Sequence, residues 1–216
     1  MSESKRSYDA RRRRERAEQE RHVTRSRVLE AARTLFLERG YVATTVAGIA
    51  RQAGVALQSV YKVGTSKADL LHQVRDIAVA GDDQQVMLLD RPEWVALRAE
   101  TDPAHLVRTL AAMIATTMER LGPVWVAYRE AAAVDAKAAA NLLIAHQRRQ
   151  HTFTNVISAL PEHRLRHSAE QSTETAWAVA SPEVYLLLRS VLNWDADRYA
   201  EWLSRTLTDV LLVPEA

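Results

Sequence analysis

Nowhere along its 216 residues does the chain sustain the strict apolar–polar alternation that a half-buried strand requires. Apolar residues recur three and four places apart instead. Ala, Leu, Arg and Glu dominate, and glycine and proline are sparse, with six of each. Such a pattern predicts an all-α protein. The apolar fraction of 47 % is enough to give those helices a core.

The few helix breakers mark out the elements. A first firm helix begins near Thr24 or Arg25, buries Val28, Ala32, Leu35 and Phe36 on one face, and stops at Gly40. Thr45 caps a second helix whose Val46, Ile49, Ala50 and Ala53 share a face, and Gly54 ends it after about two turns. A third short helix covers roughly 57–63. A fourth starts at Ser66, which makes a capping box with Asp69. Residues 81–85 and 90–94 read as breaks. Asp102 and Pro103 open a helix to about Leu121, and Gly122-Pro123 reads as a restart with Pro123 at the first helical position. Helices over about 135–160, 166–180, 182–191 and 195–212 complete the chain.

Charge is unevenly spread. Residues 1–75 hold 16 Lys and Arg against 8 Asp and Glu, whereas the remainder holds 13 against 19. A basic head suits a polyanionic partner, although a solvated basic tail with no partner fits the charge alone. Residues 1–20 form a basic flexible arm, expected to be disordered or a frayed extension of the first helix. Its Arg11, Arg12, Arg13 and Arg14 would lie along phosphates or enter a minor groove, or serve only solubility. The chain has no cysteine, which fits a reducing, cytoplasmic setting. No apolar run is long enough to span a membrane, and the charged N-terminus does not read as a secretory signal. Enzyme chemistry finds little support, with no Gly-rich phosphate loop after a strand, no G-x-S-x-G and no cysteine nucleophile. His146, His151, His163 and His167 do not make a metal set, so no metal or cofactor is expected.

Two short helices joined by a glycine turn, over 46–63, have the helix-turn-helix arrangement. Val46, Ile49, Ala50, Val55 and Val60 would lock the pair, while Gln58, Ser59 and Lys62 would face outward to base edges. Short helix pairs with a glycine turn also occur without DNA. Residues 27–71 carry more: the first-helix AARTLF, the GY turn, TTV, IA..AGV, Tyr61 and Lys67, in order. This stretch resembles the N-terminal domain of TetR-family transcriptional regulators, and the ending resembles the tail of actinobacterial-type members. The resemblance implies a helix-turn-helix domain over 21–66 and a larger helical effector-binding and dimerisation domain over 67–216. It implies DNA contacts at Thr44, Thr45, Leu57, Gln58, Ser59, Tyr61, Lys62 and Lys67, with Lys67 on a phosphate. Three positions depart from the family's usual residues: Gly48, Ala56, and Val63 with Gly64. The last pair implies a recognition helix that ends early.

In the larger domain Met113, Met118, Trp125, Tyr128, Phe153 and Trp177 are candidates for an effector pocket, each with plain core packing as the alternative. The resemblance implies a homodimer joined through about 166–191 and 195–212 and a palindromic double-stranded DNA operator. A small-molecule effector would release that repressor. The competing class is a nonspecific or architectural DNA-binding protein without an effector.

Overall fold

The computed structural model describes residues 2–214, with side chains from Arg11 to Pro214. Met1 and the side chains of residues 2–10, part of the expected arm, lie outside that description. Among the described residues ten α-helices follow one another: α1 (Ser2–Ala43), α2 (Val46–Ala53), α3 (Leu57–Val63), α4 (Lys67–Ala80), α5 (Pro92–Ala99), α6 (Pro103–Val134), α7 (Ala136–Ile157), α8 (Ala169–Val179), α9 (Pro182–Leu186) and α10 (Ala196–Leu211). Among the described residues the one strand-like pairing is an isolated bridge between Leu165 and Leu212. The chain divides into two units, Met1–Val74 and Arg75–Ala216, a division that falls inside α4.

In the first unit the described backbone of the arm continues α1 instead of fraying from it. Arg11 and Glu15 pair at 3.6 Å on its surface, which adds only a few tenths of a kcal/mol. At Gly40 the backbone turns (φ 74°, ψ 174°), conformations that favour glycine, and Tyr41 swings inward to stack on Phe36 at 5.8 Å. Thr45 caps α2 by accepting from the Gly48 N–H at 3.0 Å. Gly54 adopts the left-handed conformation (φ 63°, ψ 41°) and sends its N–H back to α2, which turns the chain into α3. Ile49, Ala50, Ala53 and Val60 are buried between these helices. Leu70, Leu71 and Val74 in the first half of α4 are buried as well.

The second unit is organised on α6, against which α7, α9 and α10 pack. The expected restart at Pro123 does not occur; α6 runs through it for 32 residues. An interior proline costs roughly 3 kcal/mol, but Leu121, Val124, Trp125 and Tyr128 around it are all buried, each contributing about 1.5–3 kcal/mol. Burial outweighs the lost backbone bond. Residues 90–94, expected to be a break, instead start α5, with Pro92 at its first position and Trp94 and Leu97 buried. Arg91, just before it, grips Asp82 with two hydrogen bonds of 2.7 and 2.8 Å, which hold the Asp82 carboxyl down at about 2. α8 begins at Ala169, not 166, because residues 162–164 form a separate 3-10 turn and Ser168 supplies the cap. α10 buries Tyr199, Leu203, Leu207 and Leu211. All five tryptophans lie in this unit, between Trp94 and Trp202.

Candidate functional site

The short helix α3 owes its outward face to what holds it from behind. Val60 is fully buried, while Leu57, Gln58, Tyr61 and Lys62 are exposed, at i, i+1, i+4 and i+5 along the opposite side. Ser59 is half-buried. Ala56 offers no side-chain cap, so the α3 N-terminus keeps backbone N–H groups for an outside acceptor. Thr45 is exposed at the start of α2. Arg11 to Arg14 are exposed along α1. Leu57, Gln58, Tyr61 and Lys62 thus give the first unit an exposed helix face two turns long.

Two expected contacts sit differently. Thr44 is 2 % exposed, with its hydroxyl within 2.8 Å of the Gly40 carbonyl and 3.0 Å of the Leu35 carbonyl, so its side chain is not presented to a ligand. Lys67 is half-buried. Its Nζ donates to the carbonyls of Tyr41 (2.7 Å) and Thr44 (3.0 Å) and lies 4.0 Å from the Tyr41 ring centre. Its ammonium therefore ties the start of α4 to the end of α1.

Gln73 is a residue sequence reasoning missed. Its side-chain oxygen accepts from Arg25 at 3.0 Å and its Nε2 donates to the Val63 carbonyl at 2.6 Å. The end of α3 is thereby tied to α1 through α4. No sequence signal marks it, because Arg25 and Gln73 stand 48 positions apart.

Four of the six effector-pocket candidates meet in the second unit. Trp125 and Tyr128 stack at 5.9 Å, and His146 stands edge-on to Trp125 at 5.4 Å and 5.9 Å from Trp177. Arg149 lies over Trp177 at 4.5 Å and near Phe153 at 5.8 Å. Met113 does not join them; it is half-exposed and about 18 Å along α6 from Trp125. Met118 is buried about 10 Å along the same helix. His146, Arg149 and Glu183 are additions that the sequence reading did not foresee. The spacing of His146, Arg149 and Phe153 at i, i+3 and i+7 on α7 was the available signal. Burial pushes the Arg149 guanidinium down to about 10 and holds the His146 imidazole below its ordinary value. Burial also raises the phenols of Tyr128 and Tyr199. Among the described residues no group of three or more His, Cys, Asp or Glu could hold a metal ion.

Residues 28–74 match the family described as bacterial regulatory proteins, tetR family. Over most of the chain the fold is similar to that of NalD from Pseudomonas aeruginosa, the secondary repressor of the MexAB-OprM multidrug efflux pump. That similarity has 24 % identity, 88 % of this chain and 95 % of that chain covered, and a TM-score of 0.62. It is also similar to a proposed transcriptional regulator from Saccharomonospora viridis solved in complex with choline (17 % identity, 88 % and 98 % covered, TM-score 0.66). A TetR transcription regulator from Haloarcula marismortui is a third (17 %, 88 % and 98 %, TM-score 0.63). No curated protein matches the chain. The chain thus has a TetR-like fold, with an N-terminal helix-turn-helix domain and a larger helical C-terminal domain. The matched family and these structures are regulatory proteins rather than enzymes.

Proposed function

We propose that this chain is a cytoplasmic, homodimeric transcriptional regulator, a repressor that leaves a palindromic DNA operator when a small molecule binds its larger unit. The exposed face of α3, carrying Leu57, Gln58, Tyr61 and Lys62 on a helix clamped from behind, supports this reading most directly. A helix of two turns reaches few base pairs, so two copies on a two-fold axis and half-sites about one DNA turn or more apart are needed. In this reading α3 enters the major groove, and Thr45 with Arg11 to Arg14 meets phosphates. Lys67 and Gln73 hold α3 at the right height. Residues 166–191 and 195–212 join the two copies. The effector shifts a pre-existing equilibrium by binding one conformation better, and α4, whose halves belong to different units, couples the site to α3.

The test is binding of the purified full-length protein to a palindrome from its adjacent intergenic region, by fluorescence anisotropy at fixed salt. Preference for that palindrome over random DNA, lost in Tyr61→Ala and in Lys62→Ala with the dimer intact, is the expected result. Equal binding to both DNAs would overturn it in favour of a nonspecific binder. Replacing Arg11 to Arg14 with Gln should flatten the salt dependence.

A further inference from the structure

The interior of the second unit holds more hydrogen-bonding capacity than it uses. Trp125 donates its indole N–H to Glu183 Oε1 at 2.8 Å. Around that bond, His146, Arg149 and Trp177 form a chain of ring and guanidinium contacts from α7 to α8. Within this cluster His146 Nδ1, Arg149 Nε and Trp177 Nε1 are buried and have no hydrogen-bond partner. Buried polar atoms are ordinarily satisfied, so three on side chains in mutual contact point to a group that satisfies them.

The chemistry of these atoms selects that group. An indole N–H and a guanidinium N–H only donate, so the partner must accept. Arg149 spends one nitrogen on the carbonyls of Trp177 (2.6 Å) and Ala180 (3.4 Å), and no carboxylate among the described residues lies within ion-pair distance of it. Glu183 acts on it only at longer range, with one oxygen already held by Trp125. A second guanidinium, Arg75, is 6 % exposed and acts on Arg149 electrostatically, with its own charge offset by Asp76 at 2.6 Å.

We propose that this cluster binds a small aromatic carboxylate, whose carboxylate accepts from Arg149 Nε and Trp177 Nε1 and whose ring lies among the indoles. The proposal rests on the effector reading above and gives its ligand a chemical class.

Benzoate, benzamide and benzylamine, titrated calorimetrically into the full-length protein without DNA, are the probes. Benzoate should bind saturably, benzamide about tenfold more weakly or worse, and benzylamine not at all. Arg149→Met should remove the preference for benzoate over benzamide. Trp177→Phe, which keeps a ring and loses the N–H, should weaken benzoate several-fold. Equal binding of benzoate and benzamide, tighter binding of benzylamine, or no binding of benzoate would overturn the site. Where Arg149→Met does not fold, the three probes on the unmodified protein and Trp177→Phe decide. The two readings fail separately. Operator binding without any benzoate binding removes the site and leaves the regulator, whereas benzoate that binds without moving DNA leaves the site and removes its effector role.

Discussion

A Cβ built at Gly64 would fall 2.8 Å from Leu70 Cδ2 and 3.2 Å from the Leu70 backbone nitrogen. The backbone there is ordinary extended chain (φ −150°), so the glycine is needed for closeness and not for its dihedral freedom. Because one of the crowded atoms is backbone, Gly64→Ala should cost about 1–3 kcal/mol in urea unfolding and weaken DNA binding by displacing the end of α3. His146 makes a second prediction at this scale. Burial holds its folded-state pKa below the ordinary 6.5, with Glu183 opposing that shift and Arg149 and Arg75 adding to it. Above about 6.5 the imidazole is neutral in both states and the fold keeps its full stability. As pH falls below that value the unfolded chain takes up the proton first, and stability drops until the folded-state pKa is passed. His146→Phe should flatten the loss of Tm between about pH 7 and 5, read by calorimetry.

Among elements, α6 and α9 meet more closely than ordinary side chains allow. A Cβ at Gly122 would lie 2.5 Å from the Tyr185 ring, which is 5 % exposed and fixed edge-on to Tyr199 at 4.8 Å. Alanine in a helix interior gains about 0.5–1 kcal/mol over glycine, yet overpacking a buried ring costs about 1–3 kcal/mol. Gly122→Ala should therefore lower stability, and Tyr185→Leu in the same chain should recover part of it; thermal unfolding of the single and double variants checks both. Gly122 also explains what could be read in advance. Helices punctuated by caps, such as α2 and α10, were legible because Thr45, Gly54 and Asp195 act on their own neighbours. Gly122-Pro123 reads as a break by the same local logic, and only burial from distant elements reverses it. The outward face of α3 was legible from spacing. The clamp through Gln73, the burial of Thr44 and the cluster around Arg149 were not, because each joins residues from separate helices.

For the whole molecule, the apolar stripe of α10 is consumed inside its own unit, leaving Leu187, Val191 and Leu192 more than half exposed just after α9. An association through the last helical segments would centre there. Leu187→Glu with Val191→Glu should shift the mass measured by light scattering to that of a single 24.3 kDa chain and weaken operator binding. The confinement of all five tryptophans to the second unit has a spectroscopic consequence. Intrinsic indole emission is blind to the helix-turn-helix, whereas far-ultraviolet circular dichroism records both units. The 74-residue unit, with its smaller core, is expected to melt first, so the dichroism signal should begin to fall before emission changes. Coincident curves would mean that α4 fuses the two units into a single cooperative transition.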